Sequence, residues 1–426
     1  MPFDFTTYLQ DHLSARRGSD QAAATGDAPF TVEVLTGGLM NHTARVRFAS
    51  PLLVIDGIKL ENGDGIHSAI LKHAPPYIAA APNQPMSVDR QLTEKKALQI
   101  FSGDDSTFPP VQAAVIQALV DRYRQMGTIG TSASVRINIP RYIWHDAKNN
   151  VIWIEDLGQM KTLSQILLQD SDPALETTHI QEFAAVLGRF LSELFQATAN
   201  PPEPWITHAT STDSLSLYHY LTGLVLKNCR EFGDITEAEA VVLSERAGRA
   251  LRAKAEAEDV CLGMVDFWPG NILVELGAFG RCGLIDWEYF RLTSASSELG
   301  MLLAHLHVHL LNTPSSATAT QSNLRLFAKS TFRAYAQSQP QQVASNGFKR
   351  ALLISHGREM VNSVSQYEED LTKESKRKVV AAGVRSLRAA GESKDDIDLT
   401  GLRPLYLGED TDVHVIWETL GVFGFA

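Results

Sequence analysis

Residues 264–288 read MVDFWPGNILVELGAFGRCGLIDWE and decide how the rest of the chain is interpreted. Asp266 is followed after four residues by Asn271, and two apolar runs joined by a glycine-containing turn lead to Asp286. This pattern predicts short strands with polar side chains on the loops at their ends. Carboxylate and amide oxygens suit Mg²⁺, which two side chains and substrate phosphates can hold together. We therefore predict Asn271 and Asp286 as metal ligands and Asp266 as a proton acceptor. The alternative is that Asp266 caps a turn and Asn271 is a turn residue.

A candidate phosphate-binding turn lies upstream, between two predicted strands. Residues 36–42 read TGGLMNH, and Gly37 and Gly38 would let backbone N–H groups approach a phosphate closely. A two-glycine turn between strands is more often an ordinary hairpin, so this turn alone does not establish a nucleotide site.

Lys72 lies in the next predicted strand between apolar residues, where an ammonium is costly unless it finds an anion. Glu94, in the helix that comes after this strand, is the natural carboxylate partner. A Lys held by a helical Glu and aimed at nucleotide phosphates is one part of the kinase template. The alternatives are an edge Lys that points to solvent and a local surface charge pattern around Glu94, which precedes Lys95 and Lys96.

Residues 152–158, IWIEDLG, join the strand-rich part of the chain to the helical part. An adenine ring needs apolar faces and a neighbouring backbone C=O and N–H, which the Glu155 C=O and the Leu157 N–H could supply. No residue here is diagnostic alone. Together, however, the glycine turn, the Lys, the Glu, the Asp-x4-Asn and the second Asp follow the order of the phosphoryl-transfer template.

From about residue 30 to residue 310 the chain resembles the aminoglycoside phosphotransferase/choline kinase family of small-molecule kinases. DFWPGNILV and LIDWE carry the resemblance most strongly, and ILKHAPP and EDLG carry it more weakly. In that family the catalytic motif commonly reads His-Gly-Asp, whereas this chain has Met264-Val265-Asp266. Asp286 is followed by Trp-Glu, as in the small-molecule kinases, rather than by the Phe-Gly of protein kinases. This favours a small hydroxyl-bearing substrate over a protein.

The resemblance implies an α+β, two-lobed protein-kinase-like fold that binds nucleotide in the cleft between its lobes. It implies ATP and Mg²⁺ as cofactors, Asp266 as catalytic base, Asn271 and Asp286 as metal ligands, and Lys72 with Glu94 as the phosphate-binding pair. The predicted division is an N-terminal helix and linker (1–28), a nucleotide-binding N-lobe with a small antiparallel sheet (29–158) and a helical C-lobe (159–426).

Local patterns agree with this division. Alternating residues predict about five strands and one helix (88–101) in the N-lobe, with a hairpin tip at 148–150. Thr178-x-x-Gln181 and Thr236-x-x-Glu239 read as helix starts in the C-lobe. Further helices are predicted at 298–312, 321–337, 348–366 and 379–390.

Composition narrows the function classes. The chain has 426 residues, 44% of them hydrophobic, and a formal net charge of −11, which argues against nucleic acid as a partner. Three cysteines without CxxC spacing suit a reducing compartment. We see no apolar run long enough for a membrane span and no signal-peptide core, so a cytoplasmic location without membrane association is expected. The N-terminus is instead predicted to be an amphipathic helix with Phe5, Leu9 and Leu13 on one face.

Two other groups of residues are weaker site candidates. His305 and His309, with His307 between them, have a spacing seen in zinc sites, but the Glu of that motif is missing and the segment is apolar, which favours a structural role. Ser355-His356 lacks the sequence context of a nucleophile elbow. We interpret the two residues as neighbours on the surface or in the core of a helix.

The predicted function is therefore ATP- and Mg²⁺-dependent phosphate transfer to a hydroxyl group of a small molecule. The alternative, motivated by Met264-Val265, is a pseudokinase-like module that binds nucleotide without transfer. A protein kinase is a third, weaker option.

Overall fold

The computed structural model describes residues 2–14, 29–36, 38–55, 58–59, 65–126, 135–169, 177–202, 212–252, 258–275 and 280–402. The helices are α1 (Phe5–Ser14), α2 (Arg90–Ser102), α3 (Pro110–Gln125), α4 (Leu163–Leu167), α5 (Thr177–Ala197), α6 (Thr212–Phe232), α7 (Glu237–Arg252), α8 (Ala295–Asn312), α9 (Thr318–Ser338), α10 (Pro340–Ala344), α11 (Asn346–Gln366) and α12 (Lys373–Ala389). The strands are β1 (Phe30–Leu35), β2 (His42–Leu52), β3 (Val54–Ile55), β4 (Ile58–Lys59), β5 (Ile66–His73), β6 (Tyr77–Ile78), β7 (Ala81–Pro85), β8 (Arg136–Asn138), β9 (Tyr142–Asp146), β10 (Val151–Glu155), β11 (Lys161–Thr162), β12 (Val260–Gly263), β13 (Ile272–Glu275), β14 (Arg281–Leu284) and β15 (Arg291–Ser294).

Contacts divide the chain into two compact units. The first comprises Met1–Asp105 and Ile139–Gly158, and the second comprises Ser106–Asn138 and Gln159–Ala426. Residues 106–138, which the sequence division placed in the N-lobe, group with the second unit because α3 packs on α5 and β8 pairs with β14. Helix α1, which that division set apart, groups with the first unit because it packs on the sheet there.

The first unit is built on a five-stranded antiparallel sheet with the order β1-β2-β5-β10-β9. Side chains alternate between its two faces. One face packs against α1, and the apolar residues of this core are Phe5, Tyr8, Leu9, Phe30, Ala44, Val46, Ile55, Ala69, Leu71, Val151 and Trp153. The five strands and the amphipathic α1 confirm the sequence prediction for this region.

The opposite face of this sheet carries polar chemistry. Lys72 in β5 lies opposite Thr43 in β2 and Ile152 in β10, and Arg45 lies opposite Ile70. Residues opposite each other across a sheet, and residues two apart along a strand, share a face. Arg45 and Lys72 therefore lie on the same face. Helix α2 packs on β9 and β10, and its Glu94 reaches Lys72 on this face.

The second unit is mainly helical and contains two small sheets. Its four-stranded sheet has the order β11-β13-β14-β8, and β12 pairs with β15. Helix α5 packs on α9, α8 packs on α11, and α11 packs on α12. Within the described ranges, no helix is both long and apolar enough to span a membrane.

Most predicted helix positions are close to the observed ones. The Glu239 N–H donates to Thr236 Oγ1 at 3.3 Å, so Thr236 caps α7 as predicted. A complete capping box occurs at Thr162 and Gln165, a pair that was not singled out from the sequence. Helix α3 was not predicted from the sequence. Pro110 at its start and the helical spacing of apolar residues, which are buried in the fold, are signals that could have predicted it.

Candidate active site

The three polar residues of the 264–288 stretch lie where short strands end, as predicted. Asp266 follows β12, Asn271 closes a 3₁₀ turn (Pro269–Asn271) immediately before β13, and Asp286 follows β14. Asp286 adopts a positive φ of 69°, a conformation that non-glycine residues rarely adopt and that is concentrated at functional sites. The Ile285 N–H donates to the Asn271 carbonyl at 3.1 Å, so the segments that carry Asn271 and Asp286 are tied together.

Asn271 and Asp266 are in direct contact. The Asn271 Nδ2 group donates to the Asp266 carbonyl at 2.9 Å and to Asp266 Oδ2 at 3.1 Å, and Asn271 is buried. Burial, followed by the negative charge of Asp286, raises the pKa of Asp266 from an ordinary 3.8 to about 7, against the opposing hydrogen bond from Asn271. A carboxyl whose pKa lies near neutrality is suited to exchange a proton with a substrate.

Val265 precedes Asp266 in an unusual conformation. Its φ is 65°, a genuine outlier for a β-branched residue. Its N–H donates to both oxygens of the Glu298 carboxylate, at 3.1 and 3.2 Å. A Cβ at Gly263 would lie 2.8 Å from Glu298 Cδ, so a side chain at residue 263 would displace this carboxylate or a neighbouring group. Glu298, which lies in the first turn of α8, was not predicted as a site residue from the sequence.

The donor set of this loop fits Mg²⁺. The Asn271 side-chain nitrogen donates to Asp266 Oδ2. The Asn271 side-chain amide oxygen and the Asp286 carboxylate are the oxygen types that Mg²⁺ prefers. Within the described ranges, no group of three His, Cys, Asp or Glu side chains is arranged to hold a metal. Mg²⁺ is usually held by one or two protein ligands together with substrate phosphates and water.

An aromatic cluster adjoins the Asp266 loop and consists of Trp268, His305, His309 and Tyr367. The Trp268 and His305 ring centroids are 5.4 Å apart, and His309 lies edge-on to Tyr367 at 5.5 Å. His305 Nδ1 and the Tyr367 hydroxyl are hydrogen-bonded at 3.0 Å. Burial lowers the pKa of His305 to about 3 and that of His309 to about 4, so both rings are neutral near pH 7.

The other candidate groups from the sequence have separate partners. His309 Nε2 bonds Ser164 Oγ at 3.2 Å, and His307 bonds His356 at 3.3 Å, so these two histidines of α8 have different hydrogen-bond partners. Ser355 Oγ donates to the Ser297 carbonyl at 2.8 Å. The contacts of His307 and Ser355 lie between the packed helices α8 and α11 and indicate structural roles.

In the first unit, Lys72 and Glu94 form a buried ion pair. Lys72 Nζ donates to the two Glu94 carboxylate oxygens at 2.8 and 2.7 Å. Lys72 is 7% exposed and Glu94 is 1% exposed, which excludes both the solvent-pointing Lys and the surface charge pattern. The Gln91 side chain donates to the Lys72 carbonyl at 2.7 Å and so fixes the strand backbone beside the ammonium.

The structure describes the residues of the glycine turn except Gly37. Arg90, at the start of α2, anchors the segment between Gly38 and β2. Its Nε donates to Asn41 Oδ1 and its Nη2 to the Met40 carbonyl, each at 3.0 Å. Arg90 was not predicted from the sequence, because Asn41 and Met40 are 49 and 50 residues away along the chain.

The predicted base-binding segment begins at the end of β10. The Glu155 N–H donates to the Arg141 carbonyl at 2.9 Å, and the Glu155 carboxylate accepts the Arg141 N–H at 3.0 Å. Leu157 is half-buried and lies between Asp156 and Gly158, both of which are bonded by Arg45 of β2. Arg45 was not singled out from the sequence, although its place between buried residues of a strand was a signal.

Comparison with known proteins identifies the class. The model of the phosphotransferase enzyme family matches residues 108–335, more than half of the chain. The chain therefore belongs to the phosphotransferase enzyme family, and it is a small-molecule kinase whose acceptor is a hydroxyl group. The predicted family and the predicted fold class, α+β and protein-kinase-like with an antiparallel-sheet unit and a larger helical unit, are confirmed.

Two fungal proteins are similar over most of the sequence. A 4-hydroxytryptamine kinase from Psilocybe cyanescens is 24% identical over 321 residues, which are 71% of this chain and 73% of that protein. A 4-hydroxytryptamine kinase from Psilocybe cubensis is 23% identical over 340 residues, which are 76% of this chain and 78% of that protein. Among solved structures, a Plasmodium vivax ethanolamine kinase has a TM-score of 0.44 at 9% identity and covers 91% of this chain and 87% of that one.

Proposed function

We propose that this chain transfers the γ-phosphoryl group of ATP to a hydroxyl group of a small molecule in a Mg²⁺-dependent reaction. The observation that carries the proposal is the hydrogen bond from Asn271 to Asp266 next to Asp286, in a loop where the pKa of Asp266 is raised to about 7. The catalytic, metal and nucleotide roles of individual residues are parts of this proposal.

In the reaction, Asp266 would orient the acceptor hydroxyl and accept its proton. The acceptor oxygen would form a bond to the γ-phosphorus as the bond between that phosphorus and the bridging oxygen of ADP breaks. Asn271 and Asp286 would hold Mg²⁺, which supplies neutralisation of phosphate charge. Lys72, kept in place by Glu94, would bind the phosphates. Most of the rate enhancement would come from positioning and electrostatic stabilisation.

The nucleotide-binding part of the proposal uses the division made from the sequence. Residues 29–158, apart from residues 106–138, which group with the second unit, would form the nucleotide-binding N-lobe, with the turn at Gly37 and Gly38 near the phosphates and the Glu155 C=O and Leu157 N–H beside the base. Residues 159–426 would carry the catalytic loop and the acceptor site. We further propose a cytoplasmic location, with no nucleic-acid or membrane partner.

For the acceptor we propose a hydroxylated aromatic amine. The two fungal relatives are named for such a compound. The aromatic cluster lies beside the Asp266 loop, where it could contact an aromatic ring. Several carboxylates, including Asp286, Glu298 and Glu359, raise the pKa of Asp266, and the same negative potential would favour an amine cation.

The test is phosphate transfer from Mg²⁺-ATP, followed by mass spectrometry of the acceptor. The panel contains 4-hydroxytryptamine, tryptamine as the matched compound without the hydroxyl, choline, glucosamine and an aminoglycoside. We expect a phosphate ester with 4-hydroxytryptamine and none with tryptamine, and an Asp266→Asn variant that binds nucleotide but makes no ester. Nucleotide binding without transfer to any panel member would instead support the pseudokinase-like alternative.

A further inference from the structure

Arg45 makes a set of buried contacts that the proposed chemistry does not use. Its Nε donates to both oxygens of the Asp156 carboxylate, at 3.1 and 3.0 Å, and its Nη2 donates to the Gly158 carbonyl at 2.7 Å. Asp156 Oδ1 also accepts the Gly158 N–H at 2.9 Å. The Arg45 and Asp156 side chains are 10% and 6% exposed. These contacts therefore fix the backbone on either side of Leu157.

The contacts lie on the face of the sheet that carries Lys72. Thr43 is opposite Lys72, and Arg45 is two residues further along the same strand. Two residues of a strand extend about 7 Å. The segment held by Arg45 is thus on the nucleotide-facing side of the sheet in the proposed function, displaced along the strands from the phosphate-binding ammonium.

Gly158, which follows Leu157, makes the segment conformationally permissive. It adopts a positive φ of 92°, a conformation that glycine reaches without strain. Short segments of this kind have many accessible conformations when nothing fixes them, and ordering them on binding lowers affinity. The Arg45 guanidinium removes that cost in advance, because its planar fork bonds a carboxylate and a carbonyl at once.

We propose that Arg45 is a positioning residue for the nucleotide base: by bonding Asp156 and Gly158 it holds the Glu155 C=O and the Leu157 N–H in the arrangement that the base requires. The inference rests on the proposed function, since it assigns nucleotide binding to this segment. It concerns the base alone and not the phosphates, which Lys72 would bind.

The distinguishing measurement compares two ligands in titration calorimetry, Mg²⁺-ATP and Mg²⁺-tripolyphosphate, which lacks the base and the sugar. We expect Arg45→Met to weaken Mg²⁺-ATP binding by on the order of tenfold and to leave tripolyphosphate binding within about twofold of wild type. Arg47→Met is the matched control, because Arg47 lies two residues along the same strand and also bonds Glu33, but is exposed. We expect it to change neither affinity.

A second variant controls for a loss of folding stability in Arg45→Met. Arg45→Met leaves the Asp156 carboxylate without its guanidinium, so Arg45→Met/Asp156→Asn removes both charges and protects against misfolding. In both variants we expect faster amide hydrogen exchange at Leu157 and Gly158 in the nucleotide-free protein. If the affinities for ATP and for tripolyphosphate fell equally, or if neither variant lost affinity for ATP, the proposed role of Arg45 would be overturned. Absence of ATP binding in the wild-type protein would overturn the proposed function as well, and so the two failures are distinguishable.

Discussion

Glu298 accepts the Val265 N–H through both carboxylate oxygens, at 3.1 and 3.2 Å, and so holds the residue before Asp266 in a left-handed conformation. Met264 and Val265 stand where related kinases commonly have His and Gly. Gly would adopt this conformation without strain, whereas Val does so only under external constraint. The buried Glu298 carboxylate provides one such constraint.

Replacing Glu298 should therefore disturb the catalytic loop. We expect Glu298→Ala to lower kcat by about tenfold or more, on the order of a lost hydrogen bond to a charged group, with little change in nucleotide affinity. Adding Val265→Gly should restore part of kcat, because glycine no longer needs the carboxylate to keep a positive φ. Steady-state kinetics of the three proteins test this. If Val265→Gly restored nothing, the backbone explanation would be wrong.

Asp266 should lower the stability of the metal-free protein near neutral pH. Its pKa is about 7 in the fold and ordinarily 3.8, so the folded state binds the proton more tightly than the unfolded state. When folding raises the pKa of an acid, the folded state is destabilised at pH values above the folded-state pKa. This destabilisation decreases as the pH falls towards the unfolded-state pKa. Asp266→Asn should thus have a higher Tm than wild type at pH 8, with a difference that shrinks towards pH 4. Thermal unfolding in EDTA measures it, and a pH-independent difference would contradict it.

Removing Lys72 alone should destabilise the fold, because Glu94 would be left buried without its ammonium. Losing one partner of such a pair costs about 3–5 kcal/mol. Lys72→Met/Glu94→Gln removes both charges, so we expect it to recover most of the stability while still binding Mg²⁺-ATP at least about tenfold more weakly than wild type. Chemical denaturation and calorimetry separate the two effects. Wild-type affinity in the double variant would remove Lys72 from the phosphate site.

The aromatic cluster should determine the acceptor rather than the nucleotide. Tyr367→Phe removes the hydroxyl that bonds His305 and keeps the ring. We expect it to raise the KM for a hydroxylated aromatic amine several-fold with an unchanged KM for ATP, since one hydrogen bond is lost beside the ring surface. An equal change in both KM values would indicate a general structural effect.

Local patterns were enough to predict part of this molecule. The Asp266, Asn271 and Asp286 positions adjoin short strands, two of which are visible as apolar runs of a few residues. Lys72 and Glu94 could be paired because a charged residue within an apolar strand requires a partner. Arg45 and Glu298 could not be assigned, because their partners are 111 and 33 residues away and the pairing depends on register and helix packing. Residues 106–138 group differently from the sequence division for the same reason, since β8 pairs with a strand far along the chain.

The central claim is that Asn271 and Asp286 form the metal site of a nucleotide-binding centre next to Asp266. Titration of ATP into wild type and Asp286→Asn, each with Mg²⁺ and with EDTA, tests it most directly. We expect wild type to bind ATP at least about tenfold more tightly with Mg²⁺, and Asp286→Asn to lose that difference. ATP affinity that is the same with and without Mg²⁺ in the wild-type protein would contradict the claim.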